Sequence, residues 1–414
     1  MLQKSGGNKW PKDKWVMKTC LKNMIVDSLE RILHPSGHGA FFTERIQQEE
    51  KEDIIVVYDC GTTDKNEKEL LEKEINEFFS NGDTIDILFI SHFDSDHVNG
   101  IGLLKPYITN KTKMVMPFSY EYFYLPKSAP TLQFMSMVMG IISDVPVIEC
   151  WVRYAEILGP EKSDSSSPIL DETDMKGGFL ESGLRIGCGL DRSPQRRYKW
   201  IYVPFNLYDD RDIRERYENE VKDKINKDPQ DIKATDLDEK VIENLRKIYK
   251  NLGPYKTKVV KDSTRKANES RNINFNSLIV LSKATHYNCE CDCKFLFRYL
   301  SCKNLRYCDG SCLYTGDSNL KKAENVTMLM ETLDYYTEMP VCLFQIPHHG
   351  SGYNYGKKLL RSYDLFTNCF VNCGARDFNK KSFSTLISDV KNSGRNLIMV
   401  SGKKYCRLEQ VVEF

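Results

Sequence analysis

Apolar and β-branched side chains gather into six short runs, Asp53 to Tyr58, Ile85 to Ile90, Ser277 to Ser282, Cys312 to Thr315, Val341 to Ile346 and Leu365 to Asn372, which read as strands. Runs that are apolar almost without interruption suit a sheet covered on both faces. Apolar residues recur at helical spacing over Glu67 to Ser80, Asn325 to Glu338 and Ser382 to Ser393. The pattern therefore predicts an α/β chain with sheet inside and helices outside. Two stretches depart from it. Residues 206–272 are dense in Asp, Glu, Lys and Arg, with apolar positions only at wide helical intervals, and read as a charged helical insertion. Residues 107–182 include the polar run KSDSSSPILDETD and read as a cap or loop insertion. Residues 1–23 form a lysine-rich basic tail.

At 414 residues the chain can bury a large core. Its 59 basic and 58 acidic residues nearly cancel, so no global field draws it to nucleic acid or anionic lipid, and any such attraction is local. The N-terminus lacks the apolar core of a signal peptide, and the longest apolar window, Phe134 to Val152, is broken by Asp144, Pro146 and Glu149. A cytoplasmic protein with no membrane segment is expected, its cysteines reduced.

Against that background the sequence Ser91-His92-Phe93-Asp94-Ser95-Asp96-His97 stands out, because it sets four potential metal ligands, in the pattern H-x-D-x-D-H, directly behind an apolar strand. Imidazole and carboxylate suit zinc, manganese or iron. A loop of solvated carboxylates is the bland alternative. The apolar strand as a rigid base and the tight turn allowed by Gly100 and Gly102 favour a metal site. An EF-hand is excluded, since its glycine and distal glutamate are absent. Two more turns follow apolar strands: Thr315-Gly316-Asp317, and Pro347-His348-His349-Gly350-Ser351. α/β sheets carry their sites at such C-terminal strand ends, and adjacent histidines are costly to bury unless paired or metallated. Ser351 has no G-x-S-x-G elbow, which argues against serine hydrolysis.

Taken in order, these three motifs resemble the metallo-β-lactamase fold superfamily, and most of all its branch found as the hydrolase domain of bacterial DNA-uptake channel proteins. Ser36 to Ala40, followed by Val57 to Gly61, looks like the first hairpin of that family, and Asn276 to Leu281 fits the strand that pairs before T-G-D. The resemblance implies a metallo-β-lactamase-like αββα sandwich over residues 24–414. It also implies one or two divalent ions, zinc or manganese, with His92 and Asp94 on the first, Asp96 and His97 on the second, and Asp317 bridging. His348 or His349 would complete the shell or give a proton, and Asp59 would orient a ligand. The catalytic residues carried over are thus Asp96, His348 and His349. Two features depart from the family: there is no histidine between His97 and His286, and Asp377 to Ser382 stands where relatives of this branch show a His-Pro pair. His34 and His38 read as structural.

Such a site would suit the hydrolysis of phosphodiesters through metal-activated water. The stretch Asp191 to Trp200, with Arg192, Arg196, Arg197 and Lys199 among aromatics, together with Lys380 and Lys381, favours a nucleic-acid or nucleotide substrate over a neutral one. The leading reading is a nuclease or other phosphodiesterase. The alternatives are a metallohydrolase of a nucleotide, thioester or lactam, and a catalytically silent metal-binding subunit working with a protein partner through its insertions. Finally, residues 284–312 form a cysteine-rich insertion. His286, Cys289, Cys291, Cys293, Cys302, Cys308 and Cys312 there could hold a structural zinc, though reduced packing cysteines or a redox role also fit.

Overall fold

The computed structural model describes residues 28–48, 51–63, 65–118, 137–140, 143–153, 169–190, 198–207, 219, 222–223, 277–285, 293–297, 300–302, 309–337, 340–361, 366–374 and 377–413. The first strands in chain order are β1 (Ser28–Leu33), β2 (Phe41–Gln47), β3 (Ile54–Cys60), β4 (Ile87–Phe89), β5 (Lys113–Pro117) and β6 (Ile148–Val152). Then come β7 (Leu170–Asp171), β8 (Gly178–Leu180), β9 (Ile186–Leu190), β10 (Tyr198–Asn206), β11 (Leu278–Ala284), β12 (Cys293–Phe297) and β13 (Leu300–Cys302). The last are β14 (Cys312–Tyr314), β15 (Val341–Gln345), β16 (Phe366–Cys373), β17 (Asn396–Ser401) and β18 (Leu408–Glu413). The helices are α1 (Lys65–Phe78), α2 (Ser95–Val98), α3 (Ile101–Leu104), α4 (Ala323–Tyr336), α5 (Lys357–Arg361) and α6 (Lys381–Asn392).

The strands form two sheets. One runs β13-β12-β18-β1-β2-β3-β4-β5-β6-β8 and the other β17-β16-β15-β14-β11-β10-β9-β7. Strand β3 shows why the pattern is so apolar. Ile54, Val56 and Tyr58 point into the layer between the sheets, whereas Ile55 and Val57 pack on the opposite face with Leu71 and Ile75 of α1. Side chains alternate across a strand, so a strand covered on both sides must be apolar throughout. On the second sheet, Ile279, Leu313 and Phe344 pack under Leu329 of α4, Leu360 of α5 and Leu386 of α6. The result is a metallo-β-lactamase-like αββα sandwich. Among the described residues no helix is long and apolar enough to cross a membrane.

Two of the expected insertions contribute strands to the sheets. Residues 107–182 supply β5, β6 and β8 to the first sheet and β7 to the second, all paired in parallel with their neighbours. These strands escape notice because β7 and β8 are only two and three residues long and because Lys113 and Glu149 interrupt the apolar signal of β5 and β6. Within 284–312, β12 and β13 make an antiparallel hairpin that extends the first sheet beside β18. Cys293 and Cys302 lie on that hairpin, while His286, Cys289, Cys291 and Cys308 fall outside the described residues. Cys312 is not part of any metal-ligating group among the described residues. The alternation of β14 turns it, with Tyr314, into the layer between the sheets, where it is a free thiol whose pKa burial pushes up to about 12. Cys342 is disulfide-bonded. The charged segment 206–272 lies outside the described residues except at 206, 207, 219, 222 and 223.

Candidate metal centre

Loops at the C-terminal ends of β3, β4, β14 and β15 converge, as does the β1–β2 loop. Asp59 near the end of β3 takes a left-handed backbone, φ 54°, and its carboxylate accepts from the Ser91 backbone N–H at 2.7 Å, the Ser91 hydroxyl at 2.6 Å and His97 Nδ1 at 2.8 Å. With Nδ1 so occupied, His97 turns Nε2 toward Asp317, 3.3 Å from Oδ1. His92 sits with Nδ1 on the hydroxyls of Ser91 (2.9 Å) and Ser277 (3.2 Å), and its Nε2 lies 3.7 Å from Asp317 Oδ2. His348 Nδ1 approaches the same oxygen at 3.4 Å. His349 Nε2 lies 2.9 Å from Asp96 Oδ2.

Backbone contacts fix this convergence. The Asp96 carbonyl accepts from Ala40, whose own carbonyl accepts from Gly61, and the His348 N–H donates to Gly316. A Cβ added at Gly61 would lie 2.5 Å from the Asp96 carbonyl carbon, so only glycine lets β3 approach α2 this closely. We predict that Gly61→Ala costs about 1–3 kcal/mol of stability by overpacking and weakens cation binding, as read by thermal melting and by metal titration. The two histidines of the P-H-H-G-S turn both have positive φ, 49° and 52°. Non-glycine residues held there carry strain of roughly 1–3 kcal/mol each, which persists only where the surroundings impose it.

The ligand atoms form two adjoining groups, His92 with His97 and Asp317, and His38 with Asp96 and His349, each with its atoms within 4.8 Å of one another. The grouping differs from the expected pairing. His97 sides with His92 rather than with Asp96, and Asp94 belongs to neither group. Asp94 instead stands before α2, its carbonyl accepting from the His97 and Val98 N–H groups. His38, expected to be structural, is the residue that the sequence reading missed. Its only signal was a glycine on either side, as suits a loop entering a site. Of the residues expected to bind substrate, Arg192, Arg196 and Arg197 fall outside the described residues, Lys199 is part-buried on β10, Lys380 precedes α6 and bonds Asp377 at 2.6 Å, and Lys381 is exposed.

The donor set fits divalent cations. Among the buried side-chain atoms without a hydrogen-bond partner are Asp317 Oδ1 and, ranged around the Asp317 carboxylate at 3.3 to 3.7 Å, His92 Nε2, His97 Nε2 and His348 Nδ1. Leaving such atoms unpaired is expensive unless something else meets them. Burial, helped by the neighbouring His97, pushes the His92 imidazole down to about 3, so it is neutral. At Asp317 burial acts the other way, but His348, His97 and His92 outweigh it and hold the carboxyl well below its usual range. His97 is driven well above its usual pKa although burial opposes this, because the Asp59 and Asp317 carboxylates flank it. A neutral His92 imidazole, an ionised Asp317 and the unpaired ligand atoms beside them form a donor set suited to a divalent cation.

The fold and site together define an αββα sandwich with paired His/Asp groups at its strand ends that could hold divalent cations. The family model of the metallo-beta-lactamase superfamily matches residues 49–181, roughly a third of the chain. That superfamily consists mostly of hydrolytic metalloenzymes that bind divalent cations, usually zinc. The match is to the superfamily at large and does not distinguish branches within it. No curated protein matches the chain.

Proposed function

We propose that the protein is a metal-dependent phosphodiesterase acting on nucleic acid, a nuclease using zinc or manganese. The observation that carries this reading is the pair of adjoining ligand groups, joined where His97 Nε2 lies 4.0 Å from Asp96 Oδ2. His92, His97 and Asp317 would hold one cation, and Asp96 and His349 the other. Two divalent cations there would lower the pKa of a shared water and offset charge growing on phosphoryl oxygens. Asp59 keeps His97 in the tautomer that offers Nε2 to the site. His348, whose side chain is 29% exposed, stands at the cleft side of Asp317 and can pass a proton to a leaving oxygen.

For the substrate, the rim supports a polyanion with stacked bases. Tyr353, just beyond the His348–Gly350 turn, is 79% exposed, and Lys321 Nζ sits 5.6 Å over its ring. An exposed ring beside a cation suits a base next to its phosphate. Lys380 and Lys381 add charge at the start of α6. Purified protein supplied with Mn²⁺ or Zn²⁺ is expected to cut single- or double-stranded DNA or RNA, and chelation to stop it. Turnover of a thioester or lactam with no cleavage of any nucleic acid would reject the reading.

A further inference from the structure

We propose that His38 is a ligand of the second cation, beside Asp96 and His349, and that Asp377 is the residue that positions it; this rests on the two-cation reading above. Asp96 and His349 alone give that cation two protein donors, where catalytic sites ordinarily have three. No histidine follows His349 in the chain, so the third donor comes from elsewhere. The β1–β2 loop delivers it. The His38 ring stacks on that of His349 with centroids 4.0 Å apart, and its Nε2 lies 3.9 Å from Asp96 Oδ2. That gap is too long for a hydrogen bond and is about 0.5 Å wider than the roughly 3.4 Å that two bonds of about 2.1 Å to one tetrahedral cation span, so a small shift of the ring would close it.

The orientation of His38 is determined from behind. Asp377, buried, accepts from the Gly374 N–H at 2.8 Å, Lys380 Nζ at 2.6 Å and His38 Nδ1 at 2.8 Å. An ionised carboxylate only accepts, so Nδ1 carries a proton and Nε2, on the side of Asp96, is the nitrogen left to meet a cation. The backbone is held as well: the His38 N–H donates to Glu67 at 3.3 Å, and its carbonyl accepts from the Thr63 N–H at 3.0 Å. Gly374 makes room, since a Cβ there would come within 2.9 Å of His38 Cβ. Lys380, at the place where a rim cation was expected, thus also fixes the carboxylate that aims the imidazole.

The test is Co²⁺ loading of the full chain, followed by d–d absorbance and by counting bound ions after dialysis, for wild type, His38→Ala, His38→Gln and Asp377→Asn, with circular dichroism to verify folding. Wild type should bind two Co²⁺. Both His38 variants should keep the first and bind the second at least about 100-fold more weakly, Asp377→Asn about 10–100-fold more weakly, and free imidazole should restore the second band in His38→Ala, which a merely structural role would not allow. Folded His38 variants that bind both ions with wild-type affinity and spectrum would overturn the inference while leaving the two-cation reading intact. A wild-type chain that binds no second ion would overturn both.

Discussion

Replacing Asp317 by alanine is expected to slow hydrolysis about 10³-fold or more, roughly 4 kcal/mol of barrier at ~1.4 kcal/mol per decade, while the fold survives. The oxygens of this carboxylate face the two histidines of the first group, His97 at 3.3 Å and His92 at 3.7 Å, and also His348 at 3.4 Å. Without it the imidazoles lose the anion that keeps a cation among them, and the first ion should be lost or bound far more weakly. Folding should be spared, because Asp317 is tied into the structure by its backbone: its N–H donates to the Ser277 hydroxyl at 3.0 Å and its carbonyl accepts from Asn354 Nδ2 at 2.7 Å. Steady-state rates, bound-ion counts and melting curves on the same preparation decide the matter. A folded Asp317→Ala protein with wild-type turnover would remove the metal centre from the mechanism altogether.

What made this centre visible before any coordinates was the coincidence of two signals of different kind. β4, β14 and β15 are apolar on both faces, so their ends are marked sharply, and each is followed by residues that have no reason to gather there except chemistry. His38 offered no such signal. It stands singly in a loop, and the aspartate that aims it lies 339 positions further on, a distance over which a sequence carries no local pattern. The pairing of ligands was hidden for a related reason. α2 begins at Ser95, so His97 and Asp96 leave the strand alternation and turn toward different partners.

The strands that were passed over teach a second point. β1 reads SLERIL and β2 reads FFTERIQ, with charged residues that ordinarily mark a solvated surface. Arg31 and Glu44 are instead buried between the sheets. Leu29 and Leu33 point the same way as Arg31 by the two-residue alternation of β1 and join the inter-sheet core. A hydrophobicity pattern cannot mark such positions, because the groups that neutralise them belong to other strands.

The second large effect is expected at this pair: Arg31→Met should destabilise the protein by about 3–5 kcal/mol. The Arg31 guanidinium donates to Glu44 Oε1 at 2.7 Å, the Tyr314 hydroxyl at 3.0 Å, the Ser282 hydroxyl at 3.0 Å, the Gly310 carbonyl at 2.5 Å and Gln410 Oε1. Glu44 in turn accepts from the hydroxyls of Tyr202, Tyr314 and Ser282 at 2.6 to 2.7 Å, and Trp200 Nε1 donates to Ser282 at 2.8 Å. Arg31, Glu44 and Gln410 sit on the first sheet, whereas Trp200, Tyr202, Ser282 and Tyr314 sit on the second, so the network ties the two layers across their apolar interface. Methionine fills much of the volume but leaves Glu44 as a buried charge without its cation, and that penalty exceeds the worth of the pair itself. Exchanging both partners, Arg31→Met with Glu44→Leu, should therefore cost clearly less than the sum of the single changes, and denaturant unfolding of the four proteins measures the coupling. Single substitutions within about 1 kcal/mol of wild type would show that water, rather than the opposite sheet, satisfies these groups.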